Sequence, residues 1–206
     1  MIVVDNKIII SGSAGFIGFH LAKNLISMGY EVIGVDSLNE AYDVRLKNFR
    51  INELKNNKNY EFHALNLSDL TSIEKLHTLN TQAQTFYHMA ARAGVRQSFV
   101  EPYSYVLDNT VATTNVANFC KLAGVSSLIL ASTSSIYGDS GENLMLENRD
   151  ERIQPPSVYA STKLSGEILA KTILDESNTK VLIPRFFTVY GPYGRPDMSI
   201  LRFIHW

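Results

Sequence analysis

A tyrosine and a lysine stand four residues apart in the segment SVYASTK, at positions Tyr159 and Lys163. In a helix this spacing places both side chains on one face. A free tyrosine has a pKa near ~10 and is a poor base at neutral pH. A neighbouring cation is expected to lower that pKa, so that the phenolate can accept a proton. The pair therefore predicts a general base, although the same spacing is also common on exposed helix surfaces.

Three glycines occur near the start of the chain, in the segment SGSAGFIGFH at residues 11–20. After a strand, Gly12 would permit a tight turn, Gly15 would let the backbone approach a pyrophosphate, and Gly18 would let strand and helix pack closely. The N–H groups of the helix start would then face the phosphates. The spacing is G-x-x-G-x-x-G rather than G-x-G-x-x-G, so by itself it is a moderate match to a dinucleotide site.

Asp36 strengthens this interpretation, because it follows the second apolar run of the chain. A carboxylate there hydrogen-bonds a ribose diol and repels a 2′-phosphate, which predicts NAD rather than NADP. The hydroxyl-rich segment 132–135 follows the fifth apolar run. Ligands collect at the carboxyl ends of strands in an open α/β sheet, so we expect the glycines, the hydroxyls and the Tyr159–Lys163 pair to share one cleft.

The elements that must position these residues are indicated by short apolar runs that alternate with helical segments. Strands are predicted at 7–12, 30–36, 60–65, 85–90, 126–132 and 180–186, and helices at 15–28, 41–56, 69–79, 103–123 and 156–176. Asp69 is expected to cap its helix, and Gly29 and Gly124 to end theirs. This alternation predicts one α/β domain over residues 1–206, a Rossmann-type doubly wound parallel sheet with helices on both faces. The polar segment 140–156 is expected to form a loop.

Composition excludes several classes of partner. Nineteen basic and twenty acidic side chains give a net charge of −1, so no electrostatic argument favours nucleic acid or an anionic membrane. We find neither a signal peptide nor a run long enough to span a bilayer. The single cysteine, Cys120, suits a reducing compartment. We therefore expect a cytoplasmic protein, with no metal site because no cluster has metal-ligand spacing.

The motifs together resemble the extended short-chain dehydrogenase/reductase family, and within it the NAD-dependent nucleotide-sugar epimerases of the UDP-glucuronate 4-epimerase type. The segments that carry the resemblance are SGSAGFIGFHLA, VIGVDSLNEAYDVRLK, HMAARAGVRQS, ASTSSIYGDS, SVYASTK and RFFTVYGPYGRPDM. They cover the chain from end to end in the family's order. These segments identify the family more specifically than they identify the sugar of its substrate.

The resemblance implies roles for individual residues. Thr133 matches the residue that hydrogen-bonds the sugar 4-hydroxyl, Tyr159 matches the base, and Lys163 matches the lysine that holds the nicotinamide ribose. The implied NAD-binding residues are Gly12, Gly15, Phe16, Ile17, Gly18, Asp36, Asn66, Leu67, Ala90, Ala91, Asn109, Tyr159, Lys163 and Phe187. The implied substrate-facing residues are Thr133, Ser134, Ser135, Thr188 and Arg195. Asn66 and Leu67 match the pair of positions that contacts adenine. Asn66 stands where the family usually has Asp, which is expected to weaken adenine binding.

The implied activity is 4-epimerisation of a UDP-sugar, such as UDP-glucuronate, with tightly bound NAD. Carbon 4 of the sugar would be oxidised, the 4-keto sugar would rotate, and reduction would follow on the other face. A 4,6-dehydratase is less consistent, because such relatives carry Asp-Glu where Ser134-Ser135 stand here.

Members of the family are longer than this chain, and the additional part forms most of the lobe that grips the nucleotide. We therefore expect that lobe to be largely absent and the isolated chain to have little epimerase activity. A catalytically silent NAD-binding fragment remains an alternative. The expected partners are a UDP-sugar and either a second copy, as a homodimer, or another chain that supplies the lobe.

Overall fold

A central parallel sheet organises the chain, whose computed structural model describes residues 6–79, 82–138, 145, 154–196 and 203. Its strands are β1 (Lys7–Ser11), β2 (Glu31–Asp36), β3 (Tyr60–Ala64), β4 (Thr85–His88), β5 (Ser127–Leu130) and β7 (Lys180–Leu182). Their order is β3-β2-β1-β4-β5-β7, with every pair parallel. Two short strands, β6 (Ser132–Thr133) and β8 (Arg185–Phe186), form a separate parallel pair. The predicted doubly wound fold is confirmed.

The helices alternate with the strands. They are α1 (Phe16–Ser27), α2 (Val44–Lys55), α3 (Leu70–Thr78), α4 (Val95–Val100), α5 (Pro102–Tyr105), α6 (Ala112–Ala123) and α7 (Val158–Leu174). A π-helical segment, Val106–Val111, joins α5 to α6, and a 3₁₀ turn, Ser134–Tyr137, follows β6. Asp69 caps α3 by accepting a hydrogen bond from the Thr71 amide, as predicted. Gly124 ends α6 in the left-handed conformation, also as predicted.

Both faces of the sheet are buried, and β1 shows why its sequence is continuously apolar. Ile9 packs into a cluster with α3, α6 and α7, whereas Ile8 and Ile10 pack on the opposite face against α1 and α2. Successive side chains of a strand point to opposite faces, so helices on both faces require apolar residues at every position.

The structure divides three predicted elements. The strands predicted at 126–132 and 180–186 are each interrupted, and the Ser132 amide donates to the Pro184 carbonyl across the break. Proline lacks an N–H group and cannot continue the ladder of β7. The helix predicted at 103–123 contains the π-helical segment, where the Thr113 hydroxyl donates to the Asn109 carbonyl at 2.6 Å. Most of the predicted loop 140–156 lies outside the described residues.

Candidate active site

A cleft of about 1120 Å³ opens at the carboxyl ends of the strands. It brings together most of the residues expected from the sequence. Those that line it are Gly12, Gly15, Phe16, Ile17, Gly18, Asp36, Asn66, Leu67, Ala90, Ala91, Thr133, Tyr159, Lys163, Phe187, Thr188 and Arg195. Among the described residues, Asn109, Ser134 and Ser135 were also expected in the site but do not line the cleft.

The turn between β1 and α1 accepts no side chain at its glycines. A Cβ at Gly18 would lie 2.1 Å from the Gly12 carbonyl oxygen, and a Cβ at Gly12 would lie 2.7 Å from the Ala90 nitrogen. Helix α1 begins at Phe16, and within the described residues no side chain caps it. The N–H groups of its first turn therefore remain available to an anion. The turn fits the pyrophosphate of a dinucleotide.

Asp36 ends β2 inside the cleft and is nearly fully buried. Its Oδ1 accepts a hydrogen bond from the Leu38 amide at 2.9 Å and lies 3.3 Å from the Lys47 ammonium. Lys47 also donates to Asn39 at 2.9 Å. Sequence reasoning missed Lys47. The available signal was its position on the apolar face of α2, one turn before Ile51.

The two residues expected beside adenine lie after β3. The Asn66 side-chain oxygen accepts hydrogen bonds from the Ser68 amide at 3.2 Å and the Ser68 hydroxyl at 2.9 Å. The buried Asn115 side chain donates to the Leu67 carbonyl at 2.9 Å. The acceptor oxygen of Asn66 is thus already engaged within its own loop, while the Leu67 backbone is held by α6.

Tyr159 lies in the first turn of α7, where Ser157 caps the helix, and it lines the cleft together with Thr133. Burial raises the pKa of Tyr159 above its ordinary value, while the Thr133 hydrogen bond and the charge of Arg195 oppose that rise. In the chain by itself, desolvation of the phenolate outweighs both opposing groups, and the lowering expected from Lys163 together with a cationic nicotinamide ring stays a prediction.

Lys163 lies one turn further along α7 and is buried. Burial lowers the pKa of Lys163 to about 8, and the carboxylate of Glu167 opposes this shift. Glu167 accepts hydrogen bonds from Ser132 and from both Nε and Nη2 of Arg185, at 2.9 and 2.7 Å. The bidentate pair with Arg185 joins α7 to β8, which leads to Phe187. The hydrogen bond from Ser132 joins α7 to β6, which carries Thr133.

His88 is fully buried where β4 ends, and it links the first strand to α6. Its Nδ1 lies 2.6 Å from the Ser11 hydroxyl and its Nε2 lies 3.2 Å from the Thr113 hydroxyl. Since Thr113 donates to the Asn109 carbonyl, His88 donates from Nε2 and accepts at Nδ1. Burial lowers the pKa of His88 to about 3, and the charge of Lys163 acts in the same direction.

Asn109 lies behind the cleft wall. Its side chain accepts from the Arg92 amide at 2.7 Å and donates to the Arg92 carbonyl and to the Thr162 hydroxyl, each at 3.0 Å. It thereby fixes the loop after β4 to α7. Ser134 and Ser135 lie in the 3₁₀ turn, where the Ser135 amide donates to the Thr133 hydroxyl oxygen at 3.1 Å.

The outer side of the cleft is open. Phe187 is 61% exposed, and Thr188 is also exposed. Arg195 is partly buried in the loop that follows. Within the described part of the chain, no group of His, Cys, Asp and Glu side chains could hold a metal ion, and no helix is long and apolar enough to cross a membrane. The site therefore combines a glycine turn, a buried carboxylate and a group formed by a hydroxyl, a phenol and an ammonium.

Comparison with known proteins matches this chain to one family of enzymes and to individual members of it. Residues 8–205 match the NAD dependent epimerase/dehydratase family. The UDP-glucuronate 4-epimerase of Thermodesulfobacterium geofontis is 43% identical over 201 residues, which are 96% of this chain and 60% of that protein. Protein CapI of Staphylococcus aureus is 40% identical over 197 residues, 96% of this chain and 58% of that protein.

A solved structure is also similar. The UDP-glucuronic acid 4-epimerase of Bacillus cereus, in complex with UDP-glucuronic acid and NAD, is 36% identical with a TM-score of 0.85. The match covers 96% of this chain and 62% of that one. The chain thus spans about 60% of the length of the curated relatives it matches.

Proposed function

The chain belongs to the NAD dependent epimerase/dehydratase family, and we propose that it forms the NAD-binding part of a nucleotide-sugar 4-epimerase. One observation carries the proposal: Thr133, Tyr159 and Lys163 line the same cleft as the glycine turn. The chemistry-bearing hydroxyls would therefore face a cofactor held at the turn.

The residues of the cleft fit the successive parts of NAD. The first-turn N–H groups of α1 would hold the pyrophosphate, and Asp36 would accept the adenosine ribose hydroxyls. The loop at Asn66 and Leu67 would face adenine, and Lys163 would hold the nicotinamide ribose. When bound, NAD⁺ supplies a reversible hydride acceptor for a sugar carbon.

The proton chemistry would belong to Tyr159. Its phenol oxygen would take the proton of a sugar hydroxyl. Thr133 would hydrogen-bond that hydroxyl and orient it toward Tyr159. Burial makes the phenolate costly, so a nearby cation is needed to stabilise it. Arg195 already acts in this direction, and we propose Lys163 as the second cation.

The substrate class is proposed as a UDP-sugar with an anionic hexose, such as UDP-glucuronate. The named relatives and the presence of Arg195 at the open side of the cleft support this choice. We propose that residues 1–206 are one dinucleotide-binding domain and that the uridine nucleotide is held largely by a further lobe or another chain. The single cysteine, Cys120, is buried and forms no disulfide, which supports a cytoplasmic location.

Two measurements test the proposal. Titration calorimetry of the purified chain with NAD⁺ should show binding, and failure to bind would overturn the proposal.

For catalysis, the chain should be joined to the second lobe of a longer relative and assayed for conversion of UDP-glucuronate to its 4-epimer. Tyr159→Phe in that protein should bind NAD⁺ normally but lose nearly all conversion, because only the proton-accepting oxygen is removed. Retained conversion would show that Tyr159 is not the base.

A further inference from the structure

Arg50 of α2 is fully buried and joins two loops that are distant in sequence. Its Nη1 donates to the Ala14 carbonyl at 2.8 Å, and its Nη2 donates to the Tyr193 carbonyl at 2.6 Å and reaches the Gly194 carbonyl at 3.5 Å. Ala14 belongs to the glycine turn, and Gly194 immediately precedes Arg195. One guanidinium therefore connects the anion-binding turn to the loop that carries Arg195.

The positive charge of Arg50 has no carboxylate partner among the described residues. Besides the carbonyl groups, it contacts the Tyr42 hydroxyl at 2.6 Å, and its Nε has no hydrogen-bond acceptor in the part of the chain that the structure describes. A buried cation is costly unless an anion balances it. By contrast, Arg45 on the same helix pairs with Asp43 at the surface, at 2.6 Å. An anion at the adjacent glycine turn would supply the charge that Arg50 lacks.

The hydrogen bond to Ala14 also sets the polarity of the turn. It directs the Ala14 carbonyl oxygen to the guanidinium, and Ala14 is fully buried. The Gly15 amide donates to the Gly12 carbonyl at 2.9 Å, which closes the turn. A carbonyl oxygen that pointed into the cleft would repel a phosphate. Arg50 thus keeps this negative group away from the place where an anion would bind.

The loop held at the other end is conformationally strained. Tyr193 has a φ of 58°, a left-handed value that non-glycine residues rarely adopt. The Tyr193 ring packs against Phe19 and Phe49, with centroids 5.6 and 5.5 Å away, and His20 hydrogen-bonds the Pro192 carbonyl at 2.8 Å. Such a conformation persists only where the surroundings fix it, and Arg50 supplies hydrogen bonds to the backbone itself.

We propose that Arg50 is a positioning residue for two anion-binding groups at once, the pyrophosphate turn and Arg195. Its charge raises the affinity of the turn for a diphosphate, and its hydrogen bonds hold the loop that presents Arg195 to the substrate. This role rests on the proposed function of the cleft as an NAD site.

The test compares NAD⁺, which carries a pyrophosphate, with adenosine, which carries no phosphate. Titration calorimetry of the purified chain should show that Arg50→Gln lowers the affinity for NAD⁺ about tenfold or more and changes adenosine binding less than about twofold. Arg45→Gln removes the same charge from the surface of the same helix and should change neither. Arg50→Lys, which keeps the charge in the same place, should restore part of the NAD⁺ affinity.

Limited digestion with chymotrypsin tests the second contact without any cofactor. Cleavage after Tyr193, mapped by mass spectrometry, should be faster in Arg50→Gln than in the unaltered chain or in Arg45→Gln.

An unchanged NAD⁺ affinity in Arg50→Gln, or equal losses of NAD⁺ and adenosine affinity, would overturn the role of Arg50 at the turn. An unchanged cleavage rate would overturn its role in the loop. Absence of NAD⁺ binding by the unaltered chain would instead overturn the proposed function.

Discussion

The ammonium of Lys47 lies 3.3 Å from Oδ1 of Asp36, and both side chains are almost fully buried in the wall of the cleft. The sequence predicts that the carboxylate of Asp36, at the end of the second strand, hydrogen-bonds a ribose diol and repels a 2′-phosphate. The structure places a cation beside it, so we expect the choice between NAD and NADP to depend on the pair rather than on the carboxylate alone.

Asp36→Ala should therefore change selectivity as well as affinity. We expect NAD⁺ affinity to fall about tenfold, because the acceptor for the ribose hydroxyls is lost. NADP⁺ affinity should rise, because Lys47 loses its carboxylate and can meet a 2′-phosphate. Calorimetry with both cofactors measures the two changes. In the Asp36→Ala/Lys47→Met double variant the gain for NADP⁺ should disappear, and NADP⁺ binding no tighter in Asp36→Ala than in the unaltered chain would refute this account.

Gly18→Ala should abolish measurable NAD⁺ binding. The new Cβ would lie 2.1 Å from the Gly12 carbonyl oxygen, so the turn and the helix start must separate. Gly166→Ala is the matched control, because its Cβ would meet Thr113 at 3.4 Å, an ordinary contact, inside α7. Calorimetry on both variants checks the contrast, together with thermal unfolding to show that each remains folded. Normal NAD⁺ binding by Gly18→Ala would exclude the turn as the pyrophosphate site.

Arg195→Gln should shift the ionisation of Tyr159 to higher pH. The pKa of Tyr159 is raised by burial and lowered in part by the Arg195 charge, so removal of that charge leaves burial less opposed. Ultraviolet difference titration of each protein against its Tyr159→Phe counterpart isolates this phenol. Arg195→Lys keeps the charge and should stay close to the unaltered chain. An unchanged or lower pKa in Arg195→Gln would contradict the proximity of the two groups.

The sheet, its helices, the glycine turn and the Tyr159–Lys163 pair could be predicted from local patterns, whereas most other cleft residues were implied only by the family resemblance. Continuous apolar runs identify strands buried on both faces, and the glycine turn and Tyr159–Lys163 spacing each occur within one short segment. The short helix α4 and the π-helical segment could not be predicted in this way. The π-helical segment is held by bonds between side chains and distant elements, such as those of Asn109 with Arg92 and Thr162.

The missed residues of the site share one property: they are polar groups on faces that pack inward. Lys47 and Arg50 lie on the buried face of α2, where their charges meet Asp36, Ala14 and the loop at Tyr193. Their partners come from segments far apart in the sequence, so spacing along α2 alone does not identify them. Basic residues on the buried face of α2 are nevertheless a usable signal, because burying them requires distant acceptors.

His88 should make the stability of the chain depend on pH. Burial, with the charge of Lys163, lowers its pKa to about 3 in the folded chain, whereas an unfolded histidine titrates at ~6.5. The unfolded chain therefore binds the proton first, so the free energy of unfolding should fall by about 1.4 kcal/mol per pH unit as the pH decreases through this interval. His88→Gln cannot titrate and should show a shallower decrease in urea unfolding measured across the same pH range. An equally steep decrease in the variant would show that His88 is not the group responsible.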